Sequence, residues 1–224
     1  MSALRPGFGP GLPELLAERF GWRARRTRVA LAVLLAVPVV ALGLRVGTSR
    51  GSGLRNDAIV LQPVAFTLGY RDGMQRVAPR PGEALRLATP PGAATGETFT
   101  VAALRVAPYT GDQSGVLPIL AAREVERLRA SFPMQFRYRG DGRTRINELP
   151  GHQILFQARV GGRLHYGKRF LLLGAVEPPA QAREGVVLTL LSRYSQATPS
   201  VGAVGVFGLM KGPLRSFRFG TERP

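Results

Sequence analysis

Two histidines, His152 and His165, occur in the 224 residues, thirteen positions apart, and there is no cysteine. A zinc-type site needs three or four His, Cys or carboxylate ligands converging on one point. No acidic co-ligand stands near either histidine, and His165 is expected to face solvent opposite Arg159, whose charge repels a cation. No metal and no cofactor is therefore expected. Ser131, Ser192 and Asp141 offer the side-chain types of nucleophilic catalysis, but no G-x-S-x-G elbow or positioned oxyanion loop accompanies them. Asp72, Glu97 and Asp112 fall at a strand end or in loops, where solvated carboxylates are the default. Gly161-Gly162 and Gly140-Asp141-Gly142 suit hairpin turns and match neither the P-loop nor the dinucleotide fingerprint. No catalytic residue is assigned. The missing cysteines also exclude a lipoprotein anchor, structural disulfides and thiolate metal sites.

What remains is a set of arginines, Arg137, Arg139, Arg143 and Arg145. Met134, Phe136 and Tyr138 alternate with Gln135, Arg137 and Arg139, and Thr144 and Ile146 alternate with Arg143, Arg145 and Asn147. A three-residue turn at Gly140 to Gly142 would pair Arg139 with Arg143 and Arg137 with Arg145, giving one basic face. Like charges opposite each other destabilise a sheet by up to about 1 kcal/mol per pair. Two readings stay open. The guanidinium stems fan into water with Asp141 and Glu148 nearby, or the four arginines bind an anion, since each presents a donor fork suited to phosphate or carboxylate.

The elements around them read as antiparallel strands. Strand-like runs begin at Ala65 to Arg71, Glu83 to Ala88 and Thr98 to Val106, separated by Pro- and Gly-rich loops. Leu117 to Ala130 is the best helix, with Ile119, Ala121, Ala122, Val125 and Leu128 as its apolar stripe and Glu124–Arg127 and Glu126–Arg129 on its wet face. Pro150-Gly151 is expected to turn the chain into His152 to Val160 and Leu164 to Leu173. A three-residue Gly161-Gly162-Arg163 loop collects Ile154, Phe156, Ala158, Val160, Leu164, Tyr166, Phe170 and Leu172 on one face, leaving Gln153, Gln157, Arg159, His165 and Arg169 to solvent. Phe136, Tyr138, Phe156, Tyr166 and Phe170 are thereby core residues, which argues against a stacking platform for RNA. A further strand carries Val186, Leu188, Leu190 and Tyr194. Ser200 to Lys211 is read as a helix packed through Gly202, Gly205 and Gly208.

Ahead of all this lies Val29 to Leu44, sixteen uncharged residues between Arg28 and Arg45. A helical span needs about 20 residues, and the flanking arginines can snorkel to make up the difference. The clustered Arg19, Arg23, Arg25, Arg26 and Arg28 put the N-terminus in the cytoplasm. The competing reading is a cleaved signal peptide, which the long preceding segment and the lack of a clear A-x-A site disfavour. Arg25-Arg26 invites a twin-arginine reading, yet paired arginines ahead of a span are ordinary positive-inside residues. The resulting organisation is a basic tail (1–28), a transmembrane helix (29–46), a flexible tether (47–56) and an extracytoplasmic domain (57–224). The tail segment Pro13 to Trp22 is either a short interfacial helix or disordered. A ten-residue tether averages roughly 17 Å, which holds the domain close to the bilayer.

The chain carries a net charge of +17, of which residues 47–224, with 24 basic and 12 acidic side chains, contribute +12. Nearly all the basic residues are arginine, which a GC-rich genome would produce unaided and which bidentate anion contacts would favour. Outside a membrane the anionic partners are lipid headgroups or envelope polymers, not nucleic acid. A protein partner is left open.

The order of elements, with FQARVGGRLHYGKRFLLL as a hairpin, GVVLTLLSRY as the next strand and a C-terminal helix ending in LRSFRF, resembles the PsbP and Mog1-like α/β sandwich across roughly residues 60 to 220. The fold class expected is α+β: a single N-terminal transmembrane helix, then one mainly antiparallel sheet domain packed with one or two helices. The resemblance implies a binding or accessory module of the bacterial envelope with no catalytic residues to carry over. The alternative is an envelope hydrolase or transferase acting on an anionic polymer.

Overall fold

The computed structural model describes residues 56–174 and 182–222, so the tail, the apolar run Val29 to Leu44 and nearly all of the tether lie outside the described residues. Among the described residues no helix is long and apolar enough to cross a membrane. The chain runs β1 (Asn56–Val60), β2 (Phe66–Tyr70), β3 (Gln75–Arg76), β4 (Glu83–Ala88), β5 (Thr98–Arg105), α1 (Gln113–Ser131), β6 (Phe136–Ile146), β7 (Leu149–Val160), β8 (Arg163–Leu173), β9 (Glu184–Arg193), a 3-10 turn (Val201–Ala203), α2 (Lys211–Ser216) and β10 (Arg218–Phe219). Seven strands form one sheet in the order β3-β4-β5-β9-β8-β7-β6, and β1-β2-β10 form a smaller one. Every pairing is antiparallel, as the sequence reading expects.

The large sheet is apolar on both faces, and this overturns the strand registers that alternation predicted. On one face Phe99, Val101, Phe170, Leu172, Val186, Leu188 and Leu190 pack against Ala58, Val60, Phe66 and Leu68 of the small sheet and Met210 and Phe217 around α2. On the other, Ile154, Phe156, Ala158, Leu171, Leu173 and Val187 pack against Leu117, Leu120, Ala121 and Leu128 of α1. A strand buried on both sides does not alternate between apolar and polar. So the β7–β8 turn has two residues, Gly161-Gly162, with φ of 56° and 76°, and pairs Val160 with Arg163. Successive residues 170 to 173 then divide between the two cores. Glycine allows the closest of these contacts: Gly167 stands opposite Phe156, and the ring occupies the space that a Cβ there would need.

α1 starts at Asp112, whose carboxylate accepts a hydrogen bond from Gly115 N at 3.1 Å, satisfying an orphan donor of the first turn. Its buried stripe is Leu117, Leu120, Ala121, Glu124 and Leu128, whereas Ile119 and Ala122, expected in the core, are exposed. The stripe is rotated because Glu124 belongs to it. That carboxylate, expected on the wet face, is 4% exposed and bonds Arg169 at 2.8 Å as well as Arg127. Arg169, expected in solvent, is drawn under the helix by the same pair and also donates to Thr189 Oγ1 at 3.0 Å.

Ser200 to Lys211 is not one helix. After the 3-10 turn, Gly205 and Gly208 adopt φ of 74° and 80°, left-handed backbone that ends helical continuity. The segment is clasped by Glu97, which is 3% exposed and accepts from Leu209 N at 2.9 Å; a Cβ at Gly208 would collide with its carboxylate. Burial raises the Glu97 pKa, opposed by the hydrogen bonds from the Leu209 and Met210 backbone.

Candidate anion-binding edge

β6 is one edge of the large sheet and runs unbroken through the expected Gly140 to Gly142 turn. The reversal comes later, at Asn147-Glu148, with φ of 47° and 69° and Ile146 opposite Leu149. That geometry matches a two-residue hairpin turn with both central residues left-handed, for which Asn is suited and Glu is not. Pro150 and Gly151, expected to turn, lie inside β7 opposite Arg145 and Thr144. Gly140, at φ 137°, instead marks a bulge, where the register shifts between Tyr138 and Gly140 and Arg139 is the extra residue.

This register separates the four arginines. Arg143 faces His152 and Arg145 faces Pro150, on the face that carries Ile154 and α1; Arg137 faces Gln157, on the opposite one; Arg139 sits in the bulge. All four are exposed, and among the described residues none of them forms a salt bridge. The one-face arrangement is therefore replaced by cations on both sides of one edge strand. From Arg137 to Arg145 the strand covers about 27 Å. Such a row suits an extended anion better than a compact one.

Between the arginines sits a carboxylate that is already engaged. Asp141 accepts a hydrogen bond from the Tyr138 hydroxyl and lies 2.5 Å from His152 Nε2. The Tyr138 hydrogen bond, then that of His152, lowers the Asp141 pKa, and the same bond raises that of Tyr138. Tyr138, expected in the core, is exposed at the bulge, while His152, read as a surface residue, is buried with an unpartnered Nδ1. The bracket ties the bulge to β7, and both carboxylate oxygens bond Tyr138 and His152, with no salt bridge to the four arginines among the described residues. His152 reaches Asp141 diagonally across the pair, a neighbour visible in sequence only once the turn is placed at 147–148.

The other side chains with catalytic potential do not join it. Ser131 Oγ donates to Arg127 O at the end of α1, and Ser192 is buried against Thr198 Oγ1 at 3.2 Å. Asp72 accepts from Asn56, Asp112 caps α1, and Glu97 holds the C-terminal loop. His165 lies opposite Ala158, not Arg159, and its Nδ1 donates to Arg163 O at 2.9 Å.

No family model and no curated protein matches the sequence. Among solved structures, cyanobacterial PsbP (CyanoP) from Synechocystis is similar with a TM-score of 0.50 at 10% identity, over 75% of this chain and 95% of that one. LpqN of Mycobacterium tuberculosis, described as involved in cell envelope biogenesis, gives a TM-score of 0.48 at 12% identity, over 74% of this chain and 91% of that one. These identities transfer no residue roles. The domain has the PsbP-like α/β fold, in its mainly antiparallel form.

Proposed function

We propose that the chain is a single-pass envelope protein, spanning the cell membrane through Val29 to Leu44 with its N-terminus in the cytoplasm, whose α+β domain is a non-catalytic binding or accessory module outside it. The domain engages an anionic envelope polymer along β6. The observation that carries this reading is an eleven-residue edge strand with Arg137, Arg139, Arg143 and Arg145 exposed and the one acid among them held by Tyr138 and His152. Arginine forks can bind carboxylate or phosphate groups spaced along an extended chain. The competing role of such charges is to keep a long edge from pairing with other sheets.

The test compares the full chain in detergent with its R137Q/R139Q/R143Q/R145Q variant, titrated with polyglutamate and polyphosphate. Polymer binding should weaken at least tenfold while circular dichroism and thermal unfolding stay close to wild type. Unchanged affinity, with the variant instead self-associating, would assign the arginines to edge protection. Intact mass of the membrane-extracted protein tests the anchor separately, since a chain beginning near Leu44 would mean cleavage.

A further inference from the structure

Cross-strand register gathers one end of the large sheet into a single rim. Phe136, Ala158, His165 and Arg193 form one row across β6, β7, β8 and β9, and Arg193 N bonds Thr95 O in the loop before β5. Just beyond that row stand Met134, Val160 and Tyr194, and beside Glu97 at the same end stand Val206 and Phe207, all large apolar side chains left exposed. Met134 is fully exposed and Phe207 66% exposed. Neighbouring strands are about 4.8 Å apart, so the apolar tips spread along roughly 20 Å. Scattered exposed apolar residues need no explanation, but a row of them at one end does.

The exposed, unpaired charges at this rim have one sign. Arg159 and Arg163 are exposed at the β7–β8 turn, and Arg193 reaches the carbonyls of Ala93 and Ala94. The acids nearby are Glu97, which is buried, and Glu126, which is paired with Arg129. The exposed Glu148 and Glu184 stand at the opposite strand ends. Apolar tips among arginines complement an anionic lipid surface, where the tips enter the headgroup boundary and each arginine meets the surface potential. Only eleven residues separate the apolar run ending at Leu44 from Asn56, at most about 40 Å even when extended.

We infer that this rim, carrying Met134, Val160, Tyr194, Val206 and Phe207 among Arg159, Arg163 and Arg193, docks on the anionic lipid surface of the membrane. The inference rests on the membrane-anchored reading above and names the face that meets the bilayer, leaving the β6 edge free for its polymer.

The absence of cysteine permits a direct test. Full-length chain carrying a single spin label at F207C or M134C, or at the controls L61C and I119C, is reconstituted in phosphatidylcholine vesicles with and without phosphatidylglycerol. Collision with oxygen is compared with collision with a water-soluble nickel chelate. Labels at 207 and 134 should become several-fold more accessible to oxygen than to nickel in the anionic vesicles, controls should stay aqueous, and R159Q/R163Q should reverse the effect. Four aqueous labels would overturn the inference, as would spin–spin broadening at 207 from a second copy. If an alkaline carbonate wash removes the protein while the 207 and 134 labels are still immersed before washing, the anchor fails and the rim stands.

Discussion

The two faces of the large sheet each bury a glutamate and hold it by different means. Under α1, Glu124 is met by Arg169 and Arg127, so the carboxylate enters the core with its own cations. Under the small sheet, Glu97 has backbone N–H groups of the 208–210 loop instead, and its pKa rises. An ion pair fixes a helix on a sheet through two long side chains; an uncompensated acid fixes a loop through its backbone and makes that loop sensitive to pH. The α1 face thus carries a rigid ion pair, while the other face carries the loop bearing Phe207.

Removing Glu124 should give the largest effect. Glu124→Ala leaves Arg169 buried without its partner and should destabilise the domain by about 3–5 kcal/mol in denaturant unfolding, whereas replacing both residues by leucine should recover most of this. A loss below about 1 kcal/mol for the single variant would break the contrast between the faces.

Glu97→Ala leaves the Leu209 and Met210 amides without an acceptor and should cost about 1–3 kcal/mol. The pH dependence sharpens the point. A carboxyl whose folded pKa lies above its ordinary 4.5 adds stability that is present below that value and lost as pH rises through the raised one. Glu97→Gln should therefore gain on wild type with rising pH in that window, as read from unfolding midpoints at stepped pH. Equal pH curves would mean that the loop is not held this way.

Asp141 should behave oppositely. Held below its ordinary 3.8 by Tyr138 and then His152, it adds stability above that value, lost as pH falls through the depressed one. Because its side chain is 37% exposed, the cost of Asp141→Asn should stay under about 1 kcal/mol above that value and fade away on the acid limb. The smallest change belongs to neither face: Glu148→Gly relieves a left-handed glutamate at the β6–β7 turn, offset in part by glycine's freedom in the unfolded chain, and should stabilise by about 0.5 kcal/mol.

The antiparallel α+β fold and the strands at Glu83–Ala88 and Thr98–Arg105 were legible because loops rich in Pro and Gly set them off. The β7–β8 register was not. Sorting apolar residues onto one face assumes that the other is wet, and here Gly167, Lys168 and Arg169 sit in a strand covered on both sides. The arginines of β6 were legible as a group but not as an arrangement. Gly140 and Gly142 look like a turn, while the true turn uses Asn147 and Glu148 without a glycine. Glu97 and Glu124 gave no local sign of burial, since what buries them is brought from Leu209 and Arg169, far along the chain.

The proposed role of the β6 arginines as an electrostatic track for an extended anion is read in the salt dependence of binding. Each cation neutralising a polymer charge releases about one condensed counterion, so for the full chain the plot of log affinity for polyphosphate against log salt should be shallower in the R137Q/R139Q/R143Q/R145Q variant by roughly three to four. Equal slopes for wild type and variant would rule out the β6 track and place polymer binding elsewhere on the domain.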